Sequence, residues 1–142
     1  MKIALGADHG GFALKEIIKS HLEKKGFEIL DKGTYSTESV DYPTYGKAVA
    51  KSILEKEADF GILICGTGIG ISISANRFKG IRAALCSNTT MAKLTREHND
   101  ANILALGARM TGDILALEIV DEFLRTKFEG GRHSTRIEAI EL

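Results

Sequence analysis

At 142 residues, 44% of them hydrophobic, the chain has material for one domain (1–142) around one core. Lys and Arg number 19, as do Asp and Glu, so overall charge recruits neither nucleic acid nor an anionic membrane, and any electropositive site must be built locally. Apolar runs too short to span a bilayer, a Met1-Lys2 start without a signal-peptide pattern, and two cysteines without a spacing ladder point to a soluble protein of the reducing cytoplasm.

In chain order, Lys2–Gly6 reads as a strand, followed by a helix over Phe12–Lys25 with Leu14, Ile17, Ile18 and Leu22 on one face. Gly26 stops that helix and Phe27–Asp31 is a second strand. A helix over Asp41–Lys56 carries Pro43 near its start. Phe60–Cys65, Arg82–Leu85 and Ile103–Leu106 read as three further strands. Ile69–Arg77, Thr89–Glu97 and Gly112–Thr126 read as the helices that follow them. The alternation predicts an α/β fold: a Rossmann-like, three-layer domain with a five-stranded parallel sheet and helices on both faces. The tail, 127–142, is not needed by the sheet and carries Gly130-Gly131 and a basic cluster.

In such folds ligands bind beyond the carboxyl ends of the strands, so chemistry-bearing residues belong just after each apolar run. The first strand ends in Gly6-Ala7-Asp8-His9-Gly10-Gly11, where Asp8 and His9 reach the rim; the plainer reading is a βα turn in which Asp8 merely caps the helix. The third ends in Cys65-Gly66-Thr67-Gly68-Ile69-Gly70. This is not the spaced dinucleotide fingerprint but a nest of N–H groups suited to an oxyanion, and one that favours a thiolate at Cys65. Cys86 has no comparable nest and reads as packing. His98 and Asn99 follow Arg96-Glu97, either as a helix cap or as a proton-shuttling imidazole with a polar neighbour. Arg109 follows the last strand. Arg132 and Arg136 would share one face of a helix and clamp a phosphate, unless they pair with Glu129 or Glu138 on a solvated surface. His21 reads as solvated. No group of side chains has metal-ligand spacing, so neither a metal nor any other cofactor is expected.

Taken together these blocks resemble the type B ribose-5-phosphate isomerases, in the family that includes galactose-6-phosphate isomerase subunits. The resemblance covers essentially the whole chain: Gly6–Phe12, Asp41-Tyr42-Pro43, Ile64–Ser72, Arg96–Asn102 and Glu129–His133. It implies a metal-free interconversion of ribose 5-phosphate and ribulose 5-phosphate, with allose 6-phosphate as a further substrate. Cys65 would be the base, and the N–H groups of Gly66, Thr67, Gly68, Ile69 and Gly70 would hold the enediolate. His98 would open the ring, and Asp8, Thr67 and Asn99 would contact substrate. His9, Arg109, Arg132 and Arg136 would bind the phosphate. The family divides over its base, one branch using a Glu where this chain has Ile71, so Cys65 places it in the other branch. The resemblance also implies a homodimer with shared sites, or a tetramer. There the His98–Asn99 and Arg109 side crosses the interface and the tail contributes to both phosphate binding and contact. The competing readings are a galactose- or allose-6-phosphate isomerase and, from another class, a non-catalytic sugar-phosphate sensor, which would have no use for Cys65 and His98 together.

Overall fold

Five apolar runs become strands in the computed structural model, which describes residues 1–141: β1 (Lys2–Ala7), β2 (Glu28–Asp31), β3 (Phe60–Cys65), β4 (Ala83–Leu85) and β5 (Ile103–Gly107). Between and after them run α1 (Phe12–Lys24), α2 (Tyr42–Leu54), α3 (Ile69–Ala75), α4 (Thr89–Asn99), α5 (Asp113–Arg125) and α6 (Arg132–Ile140). All pairings are parallel and the strand order is β2-β1-β3-β5-β4. Ile3, Leu5, Ile62, Ile64, Leu104 and Leu106 pack toward α1, α4 and α5, whereas Ala4, Leu63, Cys65 and Ile103 pack toward α2 and α3. This alternation makes two cores, one on each face, as a sheet covered on both sides requires. No helix among the described residues is long and apolar enough to cross a membrane.

Several sequence expectations need correction. In α1, Ile17 is 40% exposed, and its place inside is taken by Lys15, which is fully buried. The Lys15 ammonium meets both oxygens of Asp31 at 2.8 and 2.7 Å and lies 5.5 Å from the rings of Phe12 and Tyr35. A buried charge persists only when paired, and this one is. His21 is not simply solvated: its Nε2 lies 2.8 Å from Asp121 Oδ1, tying α1 to α5. α4 extends through His98 and Asn99 before Asp100 caps it in the left-handed region, at φ 46°. The tail forms α6; Leu142, its last residue, lies outside the described residues.

Candidate active site

Strand register decides which loops meet. Ala7 is level with Ile64, and Cys65 with Gly107, so the turns after β1, β3 and β5 open side by side at the carboxyl edge. The chain leaves β1 toward β2 on one side and β3 toward β4 on the other. The switch in direction therefore falls between β1 and β3, where doubly wound folds bind ligands. Asp8 and Cys65 stand on either side of it.

Cys65 is 5% exposed, and its Sγ accepts the Gly68 N–H at 3.1 Å. That geometry requires Gly68 in the left-handed region, φ 79°, where a Cβ would also lie 2.5 Å from Leu85 and 2.8 Å from the Leu106 backbone. Gly107 is equally constrained, since its Cβ would fall 2.5 Å from the Thr67 carbonyl oxygen. Strand β5 thus presses directly on the Cys65 loop, and Ala108 and Arg109 N–H donate to the carbonyls of Cys65 and Gly66 at 2.9 Å each. The Ile69 N–H donates to the Thr67 hydroxyl at 3.2 Å. Two of the five N–H groups expected to hold an oxyanion are therefore turned to partners inside the loop. Gly66, Thr67 and Gly70 are left as the candidates.

Asp8 is buried, and one of its oxygens accepts from Gly10 and Gly11 N–H at 2.9 and 3.2 Å. Asp8 therefore closes the turn ahead of α1 and does not cap the helix, whose N-cap is Gly11 without a side-chain bond, and its other oxygen stays at the rim. His9 Nδ1 accepts the Val40 N–H at 3.1 Å, which puts the ring hydrogen on Nε2 as a free donor. Arg109 is exposed and its side chain lies against Gly66: a Cβ there would be 3.5 Å from the Arg109 Cδ and Nε. Within one chain Arg109 thus lies beside the Cys65 loop, at the opposite edge of the sheet from His98. Sequence reasoning assigned no role to Tyr42, whose phenol covers Gly70, within 2.7 Å of where a Cβ would stand. The signal was available: an aromatic before Pro43, at the start of the helix that follows β2.

The other expected residues are elsewhere. Helix α4 returns to the amino edge of the sheet, where the Asn99 carbonyl accepts Arg82 Nε at 3.1 Å and Asn102 bonds Arg82 and Gly80. Arg96, 6% exposed, fastens this end: it donates to Asp100, Ala101 and Thr126 and lies 4.8 Å from the Phe60 ring. The Glu129 N–H donates to the Glu97 carbonyl at 3.1 Å, bringing the tail alongside. Half-exposed His98 stacks on buried His133 at 4.5 Å, while Arg132 and Arg136 stand exposed on α6. Glu129 contacts both histidines through Oε1, at 3.7 and 3.3 Å. That grouping, spread between a helix end and the tail, has no signature in residue spacing.

The expected site residues thus fall into two groups on one chain: Asp8, His9, the 65–70 loop and Arg109 at the carboxyl edge, and His98, Asn99, Arg132 and Arg136 at the amino edge. Strands of this length separate them by roughly 17–20 Å. Two clefts, about 750 Å³ along α2 and about 620 Å³ beside β4, exclude Cys65; the second includes Asn99.

A thiol in a glycine nest, flanked by a carboxylate and an imidazole at the switch point of a parallel sheet, defines a doubly wound α/β protein equipped for proton transfer on a small anionic ligand. The family described as Ribose/Galactose Isomerase matches residues 3–140, and the chain belongs to it. It is 55% identical to ribose-5-phosphate isomerase B of Escherichia coli K12 over 139 residues, 98% of this chain and 93% of that one. The solved ribose-5-phosphate isomerase B of Clostridium thermocellum superposes with a TM-score of 0.98 at 57% identity, over 99% of this chain and 95% of that one. The Mycoplasma genitalium enzyme, solved with bound ribulose 5-phosphate, gives 0.93 at 43% identity, over 98% and 93%.

Proposed function

We propose that this chain interconverts ribose 5-phosphate and ribulose 5-phosphate through an enediolate, without a metal, as a homodimer with shared sites. The observation that carries the chemistry is Cys65 Sγ, buried, held by a backbone N–H and placed across the switch point from Asp8. The family's named relatives supply the substrate.

His98 moves the proton that opens the furanose. Cys65, as thiolate, takes the proton from C2 of the open aldose, and the electrons flow onto the carbonyl oxygen at C1. N–H groups of Gly66, Thr67 and Gly70 stabilise that oxygen, the largest contribution available to a weak carbon acid. The C2 hydroxyl passes its proton to the C1 oxygen, and the thiol returns the abstracted proton to C1 as the C2–O bond becomes the carbonyl, leaving Cys65 a thiolate again. Asp8 and the Thr67 hydroxyl hold the hydroxyls, and Asn99 adds a further contact. His9 Nε2–H, Arg109, Arg132 and Arg136 bind the phosphate, and this remote anchor orients the reacting carbons.

The two half-sites face opposite edges of one chain, so completing either needs a second copy. Ile69 and Ile73 on α3 and Met91 and Leu94 on α4 are exposed at the β4 side of the sheet and offer an apolar contact. The direct test is turnover of ribose 5-phosphate, ribulose 5-phosphate, allose 6-phosphate and galactose 6-phosphate, side by side, after chelator treatment. Ribose 5-phosphate turnover supports the proposal. Turnover of six-carbon sugars alone, or a requirement for a divalent ion, contradicts it.

A further inference from the structure

We propose that His98, Glu129 and His133 form a binding site for a divalent transition-metal ion of the zinc type, and that an ion there silences His98. The three residues offer ligand atoms that all lie within 4.8 Å of one another. Both histidine Nε2 atoms converge on the same carboxylate oxygen, Glu129 Oε1, at 3.7 and 3.3 Å. Around an ion with metal–ligand bonds near 2.0–2.2 Å, neighbouring tetrahedral ligands stand about 3.3 Å apart, so both edges need little or no adjustment.

The scaffold is already in place. Gly130 and Gly131, at φ 70° and 60°, turn the chain so that Glu129 and His133 face each other across the start of α6. The Glu129 backbone is tied to Glu97, next to His98, which holds the tail against the end of α4. The two imidazoles stack 4.5 Å apart and within 19° of parallel, so one ring must turn about its Cβ–Cγ bond to aim its Nε2 lone pair at a shared ion. Charge points the same way. A cation would meet the Glu129 carboxylate and could accept the Nε2 lone pair of each imidazole. Imidazole and carboxylate suit zinc and its neighbours, and three protein ligands leave a fourth position open to water or to a substrate oxygen. His98 and Glu129 are half-exposed, which gives the ion a way in.

Binding does not depend on the proposed reaction; its inhibitory consequence rests on His98 opening the ring. Zn²⁺ titrated against a chromophoric chelator should report one site per chain in the full-length protein, weakening as pH falls and protons compete for the imidazoles. Glu129→Gln and His133→Gln should each weaken it at least about tenfold, and a Cys65→Ser/Cys86→Ser double variant should leave it unchanged. Glu129 is half-exposed, so its variant keeps the test open if His133→Gln fails to fold, as circular dichroism would show. Co²⁺ should give visible d–d bands without thiolate charge transfer. Equal Zn²⁺ affinity in wild type and both variants, or its loss in the thiol double variant, would overturn the site. Zn²⁺ should also inhibit ribose 5-phosphate turnover reversibly, with its midpoint raised in Glu129→Gln by the same factor as the affinity is lowered. Ligand-dependent binding with undiminished turnover would keep the site and remove His98 from the mechanism. Full turnover with no binding would remove the site and leave the mechanism standing.

Discussion

The two edges of the sheet reach order by different means. At the carboxyl edge the backbone does the positioning: Gly68 and Gly107 allow close approaches that a Cβ would forbid, and Cys65 is held by a main-chain N–H. At the amino edge side chains do it, with Arg96 bonded to Asp100, Ala101 and Thr126 and lying 4.8 and 5.7 Å from the rings of Phe60 and Phe123, which meet edge to face. Each edge has one buried cation as its pin, Lys15 at the first and Arg96 at the second. On the proposed mechanism the carboxyl edge is then the cradle for the proton-transfer step, and the amino edge a platform presenting half-exposed His98 and exposed Asn99, Arg132 and Arg136. The contrast teaches that the two halves are separately anchored, so each can be disabled while the other stays intact.

The largest expected effect breaks the carboxyl half alone. Cys65→Ala should lower turnover by about 10²–10⁴-fold, the contribution of a general base, while melting temperature and substrate binding stay near wild type. Retention of a tenth of the activity would exclude Cys65 as the base. Alkylation should single out the same residue. Burial pushes Cys86 up to about 11, so at neutral pH it is an unreactive thiol, and peptide mapping should find the label on Cys65, protected by substrate.

Next come the two pins. Asp31→Asn removes the carboxylate that holds buried Lys15 through both oxygens, leaving it Glu16 Oε1 at 3.1 Å, and should cost about 3 kcal/mol in denaturant unfolding, the low end for breaking a buried pair. Burial opposes ionisation of Asp31, but hydrogen bonds from Lys15 and the Gly33 N–H, with the charge of Lys15, outweigh it and hold the carboxyl below its usual 3.8. A carboxyl lowered in the folded state stabilises at pH values above the usual carboxylate range. That stabilisation is lost as pH falls below about 4 through the folded value. Wild type should therefore lose stability steeply below that pH, and Asp31→Asn should show a shallower acid limb. Arg96→Met should cost less, about 2–3 kcal/mol, because Asp100 can turn to solvent once its partner is gone. It should reduce turnover through the loosened His98–Asn99 segment while Cys65 alkylates at its normal rate. A changed labelling rate would show that the edges are coupled after all.

Legibility from sequence follows the same divide. The carboxyl edge was readable because its determinants are local: an apolar run, a glycine, then a polar residue, as in Asp8-His9 and Cys65–Gly70. The parallel five-stranded sheet with helices on both faces was readable from alternation, but its order was not. Strand β4 has three residues, and nothing in Ala83–Leu85 says that β5 inserts between it and β3. The buried Lys15 escaped because its partner, Asp31, lies on another element, and helical periodicity assigns a lysine to solvent. The His98–Glu129–His133 grouping escaped for the same reason, since it depends on α6 docking beside α4.

The most direct test of the shared site mixes two inactive proteins, Cys65→Ala and His98→Ala, under conditions where subunits exchange. In a mixed dimer one site combines both lesions and the other combines intact Cys65 from one chain with intact His98 from its partner. With half of all dimers mixed, activity should return to about a quarter of wild type as exchange proceeds, on ribose 5-phosphate. If Cys65 and His98 serve a site within one chain, every site in the mixture lacks one of them. Activity would then stay at the level of the separate variants, and a shared site would be contradicted.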